Sequence, residues 1–187
     1  MTNAIAVIKR LHQHRVWVNE NLLNAALRLS DEQLHQPFPI GQGSIWKSLV
    51  HLYAGEFVWL EALLGNDDPV VRGDLQRQIP GNQLGEGGFA TLDELRHEWT
   101  QLDERWQCYL AALSPEALEL PVYKWRSVAG QSRRMATSRS DVLLHVCTHA
   151  QYTTAQVVNM LRHVGVEKLP DTMLISLARQ EMATPPA

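Results

Sequence analysis

The sequence has few of the features that assign a chain to a class at once. It contains only two cysteines among 187 residues, Cys108 and Cys147, and their positions match no metal-binding or redox spacing. Both fall in predicted helices, where a free cysteine is expected to be a small buried hydrophobe of a reducing compartment. No stretch approaches the roughly 20 apolar residues of a membrane span, and the N-terminus lacks the features of a secretory signal. We therefore expect a cytoplasmic protein with no membrane partner.

An excess of charge of one sign is also missing. The chain carries 17 lysines and arginines against 20 aspartates and glutamates, which gives a formal net charge of -3. Because no basic face is apparent, a nucleic-acid partner is not expected. The length suffices for one hydrophobic core, and no internal repeat divides it. The sequence predicts one domain over residues 1–181, followed by a disordered tail over residues 182–187.

Apolar residues at helical spacing predict long helices in the first third of the chain. The first covers Ala4 to Leu29. A capping box formed by Ser30 and Gln33 then predicts a short helical turn. The second long helix follows Ser44 as its N-cap and ends at Gly65. It is apolar almost all round, which indicates a central position in a bundle.

The middle of the chain predicts a long connection and a third long helix. Residues 66–88 are rich in Gly, Asp, Pro and Gln without a sustained period, and loops of this length in compact domains are often functional. Thr91 and Glu94 predict a capping box for a helix from Leu92 to Leu113. Its stripe of leucine and tryptophan is expected to be core rather than a cofactor site: Leu95, Trp99, Leu102, Trp106 and Leu110.

Residues 121–139 contain β-branched and aromatic residues on either side of Gly130, which predicts a small hairpin or an irregular pair. Four arginines gather there and form either a solvated surface or, in part, an anion-binding site: Arg126, Arg133, Arg134 and Arg139. A last short helix is expected from Asp171 to Glu181. Together the elements predict an all-α four-helix bundle with a short terminal helix and a small hairpin before the last long helix.

The most informative stretch runs from Asp141 to Gly165 and is predicted as one helix capped by Ser140 or Asp141. Its apolar stripe contains His149, and the opposite, mostly polar stripe is expected to face water. His145 lies one turn before His149, so the two side chains are roughly 40° apart, with His145 on the flank of the apolar stripe. Both imidazoles can therefore reach one point.

His51 is the only histidine of the second long helix and is the natural partner of His149 if the two helices are neighbours. Two interpretations stay open. A divalent metal would satisfy the buried imidazoles but needs a third ligand. Alternatively, each histidine is a core side chain with one hydrogen bond to a neighbouring group. Ring nitrogens of His51 and His149 more than about 6 Å apart would exclude the metal. Glu56 and Glu61 are expected to be solvated surface charges.

Two stretches resemble the DinB family of helical-bundle proteins: GSIWKSLVHLYAGEFVWLEALLG and LLHVCTHAQYTTAQVVNMLRHVG. The first resembles the family's second helix with its histidine, and the second resembles its final motif. The resemblance covers almost the whole chain and implies a four-helix bundle, commonly a homodimer, with a divalent metal held by three histidines. Carried over by motif, His51 and His149 match two of these ligands, whereas Thr153 occupies the third position.

Thr153 departs from the family's pattern, because a neutral hydroxyl is a poor ligand for zinc or nickel. His145 could take the third place after some rotation of the helix, so the predicted metal ligands are His51, His149 and His145, for zinc, nickel or iron. The resemblance then implies a metal-dependent enzyme that acts on a small-molecule substrate or thiol, by thiol S-transfer or hydrolysis. The alternative is a metal-free member that serves as a small-molecule binding or dimerisation module.

Overall fold

The computed structural model describes residues 3–74, 88–128 and 131–183. The described residues form six α-helices, one 3₁₀ helix and two strands: α1 (Ala4–Ala26), α2 (Asp31–His35), α3 (Ile45–Leu63), α4 (Leu92–Ala111), a 3₁₀ helix (Glu116–Glu119), β1 (Pro121–Val128), β2 (Gln131–Ser138), α5 (Arg139–His163) and α6 (Leu174–Ala183). The predicted all-α bundle with a small hairpin before the last long helix is confirmed. None of the described helices is long and apolar enough to cross a membrane.

Local capping chemistry sets the ends of the helices. Ser30 and Gln33 form the predicted capping box, in which Gln33 N donates to Ser30 Oγ at 3.2 Å and Ser30 N donates to Gln33 Oε1 at 3.0 Å. Ser44 caps α3 as predicted and accepts from Lys47 N at 3.1 Å. Gly65 follows the end of α3 with φ of +101°, a conformation that glycine adopts without steric cost.

Several predicted boundaries are corrected. α1 and α4 end a few residues earlier than expected, at Ala26 and Ala111. Thr91 Oγ1 accepts from Glu94 N as predicted, at 3.1 Å. The Glu94 carboxylate, however, accepts from Ala90 N at 2.8 Å instead of closing the box on Thr91. Thr91 thus caps α4, and the side chain of Glu94 binds the residue before the N-cap instead of Thr91 itself.

The last long helix begins earlier than predicted. α5 starts at Arg139 and its N-cap is Ser138, not Ser140 or Asp141, because β2 runs directly into the helix. Ser138 Oγ accepts from Asp141 N at 3.2 Å. A serine three residues before an acidic residue is a capping-box pattern, so the sequence did hold a signal for this start.

The terminal helix is also shifted. α6 begins at Leu174 rather than Asp171, because Asp171 Oδ1 accepts from Met173 N at 3.0 Å and holds the preceding residues in a turn. α6 continues to Ala183 and so includes the first residues of the segment 182–187 for which disorder is predicted. Residues 184–187 lie outside the described residues.

The long helices form a bundle in which α5 packs between α1 and α3, while α4 contacts α1 and α3. α3 and α4 run in the same direction, since Glu56 meets Trp99 and Glu61 meets Arg105 one to two turns further along both helices. The connection between α3 and α4 contains the whole of the long loop predicted over residues 66–88, of which residues 75–87 lie outside the described residues.

Leucine, valine and tryptophan side chains from the four long helices fill the core. The predicted stripe of α4 is buried at every position: Leu95, Trp99, Leu102, Trp106 and Leu110. α3 is buried almost all round, as predicted. Cys147 is half-buried, but Cys108 is exposed. The expectation that both cysteines are buried is thus wrong for Cys108, because it lies on the face of α4 opposite the tryptophan stripe.

β1 and β2 form a two-stranded antiparallel hairpin, as predicted. It is held against the residues that follow α3, because Trp125 N donates to Asp67 O at 2.7 Å and Arg134 Nε donates to Asp67 Oδ2 at 2.6 Å. The neighbouring Arg126 and Arg133 are exposed. The four arginines that the sequence groups together therefore have different environments. Arg134 is ion-paired, Arg126 and Arg133 are solvated, and Arg139 lies at the start of α5.

Candidate metal centre

The candidate site is a pair of histidines from two adjacent helices. His51 lies in the second turn of α3, and His149 lies in the middle of α5. Their Nε2 atoms are 3.1 Å apart, and the ring centroids are 5.0 Å apart with an interplanar angle of 70°. The prediction that these two histidines face each other is confirmed, and the exclusion distance of about 6 Å is not exceeded.

The distance between the two nitrogens is compatible with a direct hydrogen bond and with a shared metal ion. Without an ion, one Nε2 must carry the proton and donate to the other, which requires different tautomers. With a metal at about 2.0–2.1 Å from each nitrogen in tetrahedral geometry, the nitrogens would be about 3.3 Å apart. The donor set therefore fits a divalent ion with only a small adjustment of either ring.

Gly55 makes room for the ring of His149. A Cβ at position 55 would lie 3.2 Å from His149 Cε1 and 3.4 Å from His149 Nδ1, closer than ordinary carbon contacts. Gly55 is one turn after His51 on α3, so the same helix face provides the first imidazole and the space for the second. The sequence analysis did not assign a role to Gly55, although its spacing from His51 was a usable signal.

Burial favours the metal-binding form of His149. Its pKa is lowered from 6.5 to about 4, chiefly because the half-buried ring loses solvation, with smaller effects of the neighbouring His51 and His145. The neutral imidazole, which carries a lone pair for a metal, is therefore the form present near neutral pH. A neutral ring is equally compatible with the hydrogen bond to His51.

The third ligand stays a prediction. Thr153, at the family's third position, is 2% exposed on α5. His145 is exposed, its ring centroid is 5.8 Å from that of His149, and its ring meets the edge of Trp59 at 5.3 Å. Within residues 3–74, 88–128 and 131–183, no group of three or more histidine, cysteine, aspartate and glutamate side chains could hold an ion. His145 would have to leave Trp59 to join the pair.

The sequence analysis missed two residues near His145: Trp59, which contacts the His145 ring, and Lys124, which contacts Trp59. Trp59 lies two turns after His51 on α3, and Lys124 of β1 places its Nζ 5.5 Å from the Trp59 ring centroid. Burial lowers the pKa of Lys124, while the charge of Asp68 opposes this shift. The helical spacing from His51 could have identified Trp59, but no local pattern could have identified Lys124, because the hairpin brings it from a distant part of the chain.

A second polar cluster, the Arg15–Glu56 network, lies about 140° round α3 from His51. Glu56 accepts from Arg15 Nη1, from Asn19 Nδ2 at 2.8 Å and from Trp99 Nε1 at 2.9 Å. Arg15 Nη2 also donates to Asp103 at 3.1 Å. Since Glu56 is 1% exposed, the expectation that it is a solvated surface charge is wrong. Its donors come from α1 and α4, which helical spacing within α3 cannot show.

One guanidinium in this network faces two carboxylates. Loss of solvation raises the pKa of Asp103 to about 7; the charge of Arg15 opposes the shift, and the charge of Glu56 adds to it. Glu61, the other carboxylate considered on α3, is partly exposed and pairs with Arg105 at the surface. The network is thus a buried charge cluster, whereas Glu61 has the surface environment that was expected.

The comparison with protein families decides the classification. The sequence model of the DinB family matches residues 1–183, nearly the whole chain. This chain belongs to the DinB family. The resemblance stated from the α3 and α5 motifs is therefore confirmed.

One relative and one solved structure, both from the same bacterium, are similar to this chain. Protein DinB of Bacillus subtilis (strain 168) is 26% identical over 164 residues, which make up 86% of this chain and 88% of that protein. Among solved structures, YfiT from Bacillus subtilis matches with a TM-score of 0.63 and 15% identity, over 88% of this chain and 91% of YfiT. YfiT is described as a probable metal-dependent hydrolase with an unusual four-helix bundle topology. At this identity the likeness shows the fold alone.

Proposed function

We propose that this DinB-family protein is a metal-dependent enzyme that holds one divalent ion between His51 and His149 and acts on a small molecule, by hydrolysis or thiol transfer. The observation that carries the proposal is the 3.1 Å distance between the two Nε2 atoms, which are provided by separate helices. The description of YfiT as a probable metal-dependent hydrolase supports the same class. Zinc, nickel and iron all suit imidazole ligands.

The chain's own residues prepare the site in three ways. His51 and His149 would hold the ion through Nε2, with His145 or water completing the set. His149 has no proton to lose at Nε2 before binding when its neutral ring carries the proton on Nδ1. Gly55 keeps the second ring within reach of the first. When bound, a divalent ion would supply Lewis acidity for activating a water molecule or a thiol.

The first test is elemental analysis of purified, untagged protein by plasma mass spectrometry. We expect near-stoichiometric zinc, nickel or iron in the wild type and less than about a tenth of it in His51→Ala and His149→Ala, since a single remaining imidazole binds these ions weakly. His97→Ala, which removes an exposed histidine of α4, is the matched control and should keep its metal. A metal-free wild type that also fails to take up added ions would contradict the proposal.

The reaction class needs a second measurement. The metal-loaded protein is offered an activated ester, and separately an activated aryl halide together with a low-molecular-weight thiol. Hydrolysis of the ester supports a hydrolase, and metal-dependent conjugation of the thiol supports a transferase. Either activity should disappear in His51→Ala. Added metal should not restore it, because the variant lacks one of the two imidazoles that would hold the ion.

A metal-free binding or dimerisation module is the second candidate. The observation that favours it is the buried Thr153 at the third ligand position, together with the position of His145 against Trp59. Under this alternative the His51–His149 pair is a structural hydrogen bond. Each alanine variant would then lose stability without any change in metal content.

Homodimer formation and a cytoplasmic location belong to the proposal as well. The family resemblance implies a homodimer, and the thiols of Cys108 and Cys147 suit a reducing compartment. Light scattering coupled to size-exclusion chromatography would test the first, with a mass twice that of the chain as the expected result. Localisation of a tagged protein by cell fractionation would test the second.

A further inference from the structure

A cavity with a volume of about 630 Å³ lies between the C-terminal half of α4, the end of α3 and the 3₁₀ helix before the hairpin. This volume falls within the range of about 300 to 1,000 Å³ that is typical of small-molecule sites. Much of its wall is apolar or small: Leu64, Cys108, Ala112, Leu113 and Ala117. The cavity can therefore accommodate the hydrocarbon part of a small ligand.

Two buried hydrogen-bond donors next to the cavity have no partners. Arg139 Nε and Tyr109 Oη are both buried, and neither has a hydrogen-bond partner among the described residues. Loss of solvation raises the pKa of Tyr109, against the effect of the nearby Arg139 charge, so the phenol is a donor at neutral pH. The backbone of Arg139 is fixed, since its N–H donates to Leu120 O at 3.0 Å. Water reaches neither atom, so a ligand in the cavity would meet the terminal nitrogens of Arg139 rather than Nε, and the ring rather than the hydroxyl of Tyr109.

Arg139 differs in this respect from other arginines of the described chain. Five of them pair with carboxylates: Arg10, Arg15, Arg72, Arg105 and Arg134. Arg139 is half-buried, and none of the ion pairs within residues 3–74, 88–128 and 131–183 includes it. A half-buried guanidinium without a carboxylate carries a desolvation cost that an anionic ligand would offset.

We propose that this cavity binds a small organic carboxylate with an apolar chain, whose carboxylate pairs with the guanidinium of Arg139 and whose chain lies on the wall formed by Leu64 and Leu113. The rim carries charges of both signs: Arg105 is already paired with Glu61, and Glu104 is exposed to solvent. Glu104 nevertheless makes a cationic ligand the competing case, which the experiment must separate from an anionic one.

The site is independent of the candidate metal centre. Arg139 precedes His149 by ten residues on α5, which corresponds to about 15 Å along the helix axis. The residues that line the cavity include neither histidine of the pair, and they include neither Gly55 nor Trp59. Ligand binding should therefore be unchanged in His51→Ala, whatever the outcome of the metal analysis.

Calorimetric titration with three eight-carbon compounds tests the charge of the ligand. Octanoate is the anion, 1-octanol the neutral control and octylammonium the cation. We expect octanoate to bind with one site per chain, at least tenfold more tightly than either of the others. Arg139→Gln should weaken octanoate binding at least tenfold, whereas Tyr109→Phe, which removes a hydroxyl outside the reach of the ligand, should change it little. Arg133→Gln, which removes an exposed arginine of the hairpin, should leave binding unchanged.

Protection of Cys108 from alkylation locates the ligand. Cys108 is exposed at the cavity wall, whereas Cys147 is half-buried and burial raises the pKa of its thiol to about 12, so Cys108 should react first with iodoacetamide. Saturating octanoate should slow alkylation of Cys108 severalfold in the wild type, as followed by peptide mass spectrometry. The same concentration should have no effect on Arg139→Gln.

Three results would overturn the proposal. The first is octanoate affinity that is equal in wild type and Arg139→Gln. The second is octylammonium binding as tight as that of octanoate, which would assign the cavity to Glu104. The third is a combined result, in which the wild type does not bind octanoate and Arg139→Gln dissociates a wild-type dimer. The cavity would then be a contact between two copies of the chain.

Discussion

The two polar clusters around α3 are built in opposite ways. In the Arg15–Glu56 network, one carboxylate receives hydrogen bonds from three donors on two other helices. In the histidine pair, two acceptor-capable nitrogens face each other and at most one can carry the intervening proton. A buried carboxylate whose acceptors are used by the protein holds the fold together. Two facing ring nitrogens can instead share a proton or, in their other tautomers, bind an ion, so we infer a structural role for the network and a binding role for the histidine pair.

The largest effect should come from breaking the network. Glu56→Ala would leave Arg15 buried beside Asp103 alone, and we expect a loss of about 3–5 kcal/mol in the free energy of unfolding, measured with urea. Glu61→Ala on the same helix is the control, because its ion pair with Arg105 lies at the surface and should contribute at most about 1 kcal/mol. Equal losses in the two variants would contradict a structural role for the network.

Removal of a histidine ligand should affect metal content more than stability. We therefore compare Glu56→Ala with His149→Ala by measuring both the free energy of unfolding and the metal content of each preparation. The glutamate variant should lose stability but retain metal in its folded fraction, whereas the histidine variant should lose metal. A glutamate variant that folds and still lacks metal would show that the two clusters are not separate.

The next effect is on the pH dependence of stability and involves His12, a buried histidine of α1. Its pKa is lowered from 6.5 to about 3, first by loss of solvation and then by the Arg15 charge, against a hydrogen bond to Leu143 O. Because the unfolded chain takes up a proton near pH 6.5 and the folded chain does not, stability is complete above pH 6.5 and falls as the pH decreases towards 3. The contribution of His12 to this loss approaches about 1.4 kcal/mol per pH unit and amounts to about 2 kcal/mol between pH 6.5 and 4.5.

His12→Gln tests this assignment, because glutamine keeps an N–H donor but does not ionise. Urea unfolding between pH 7 and 4.5 should show a shallower decline for the variant than for the wild type. His97→Gln, at an exposed position of α4, should follow the wild-type profile. If His12→Gln and wild type decline in parallel, the acid sensitivity originates elsewhere.

Introducing the third histidine that the family resemblance implies should produce a smaller change, in metal affinity. Thr153→His provides an imidazole one turn after His149, and we expect at least tenfold tighter binding, or about 1.4 kcal/mol, in competition with a chelator. Thr153→Val is the control for altered packing at this buried position. An affinity that equals that of Thr153→Val would indicate that His145 or water already completes the site.

Some of these features could be predicted from the sequence because they depend on spacing within one helix. The caps of α2 and α3, the buried stripe of α4 and the face of α5 that carries His149 follow from local patterns. The pairing of His51 with His149 needed one further assumption, that α3 and α5 are neighbours, and the family resemblance provided it. Local chemistry plus one contact between helices was enough for the candidate site.

Other features depend on how the helices rotate against each other, which spacing does not determine. Glu56 was expected in solvent, yet its donors Arg15 and Asn19 belong to α1 and Trp99 to α4. Lys124 reaches Trp59 only because the hairpin folds onto α3. The error at Cys108 was of a different kind, since its position relative to the tryptophan stripe could have been projected from the sequence.

The smallest expected effect, at Gly55, separates the two interpretations of the histidine pair most finely. Alanine is favoured over glycine inside a helix by roughly 0.5–1 kcal/mol, but the added Cβ would crowd the His149 ring at 3.2 Å. In the wild-type background we therefore expect Gly55→Ala to leave stability almost unchanged and to weaken metal binding. In the His149→Ala background the crowding is absent, so the same substitution should stabilise the protein. A stabilisation of equal size in both backgrounds would mean that His149 moves freely, and a ring that moves freely is not held in place for a metal.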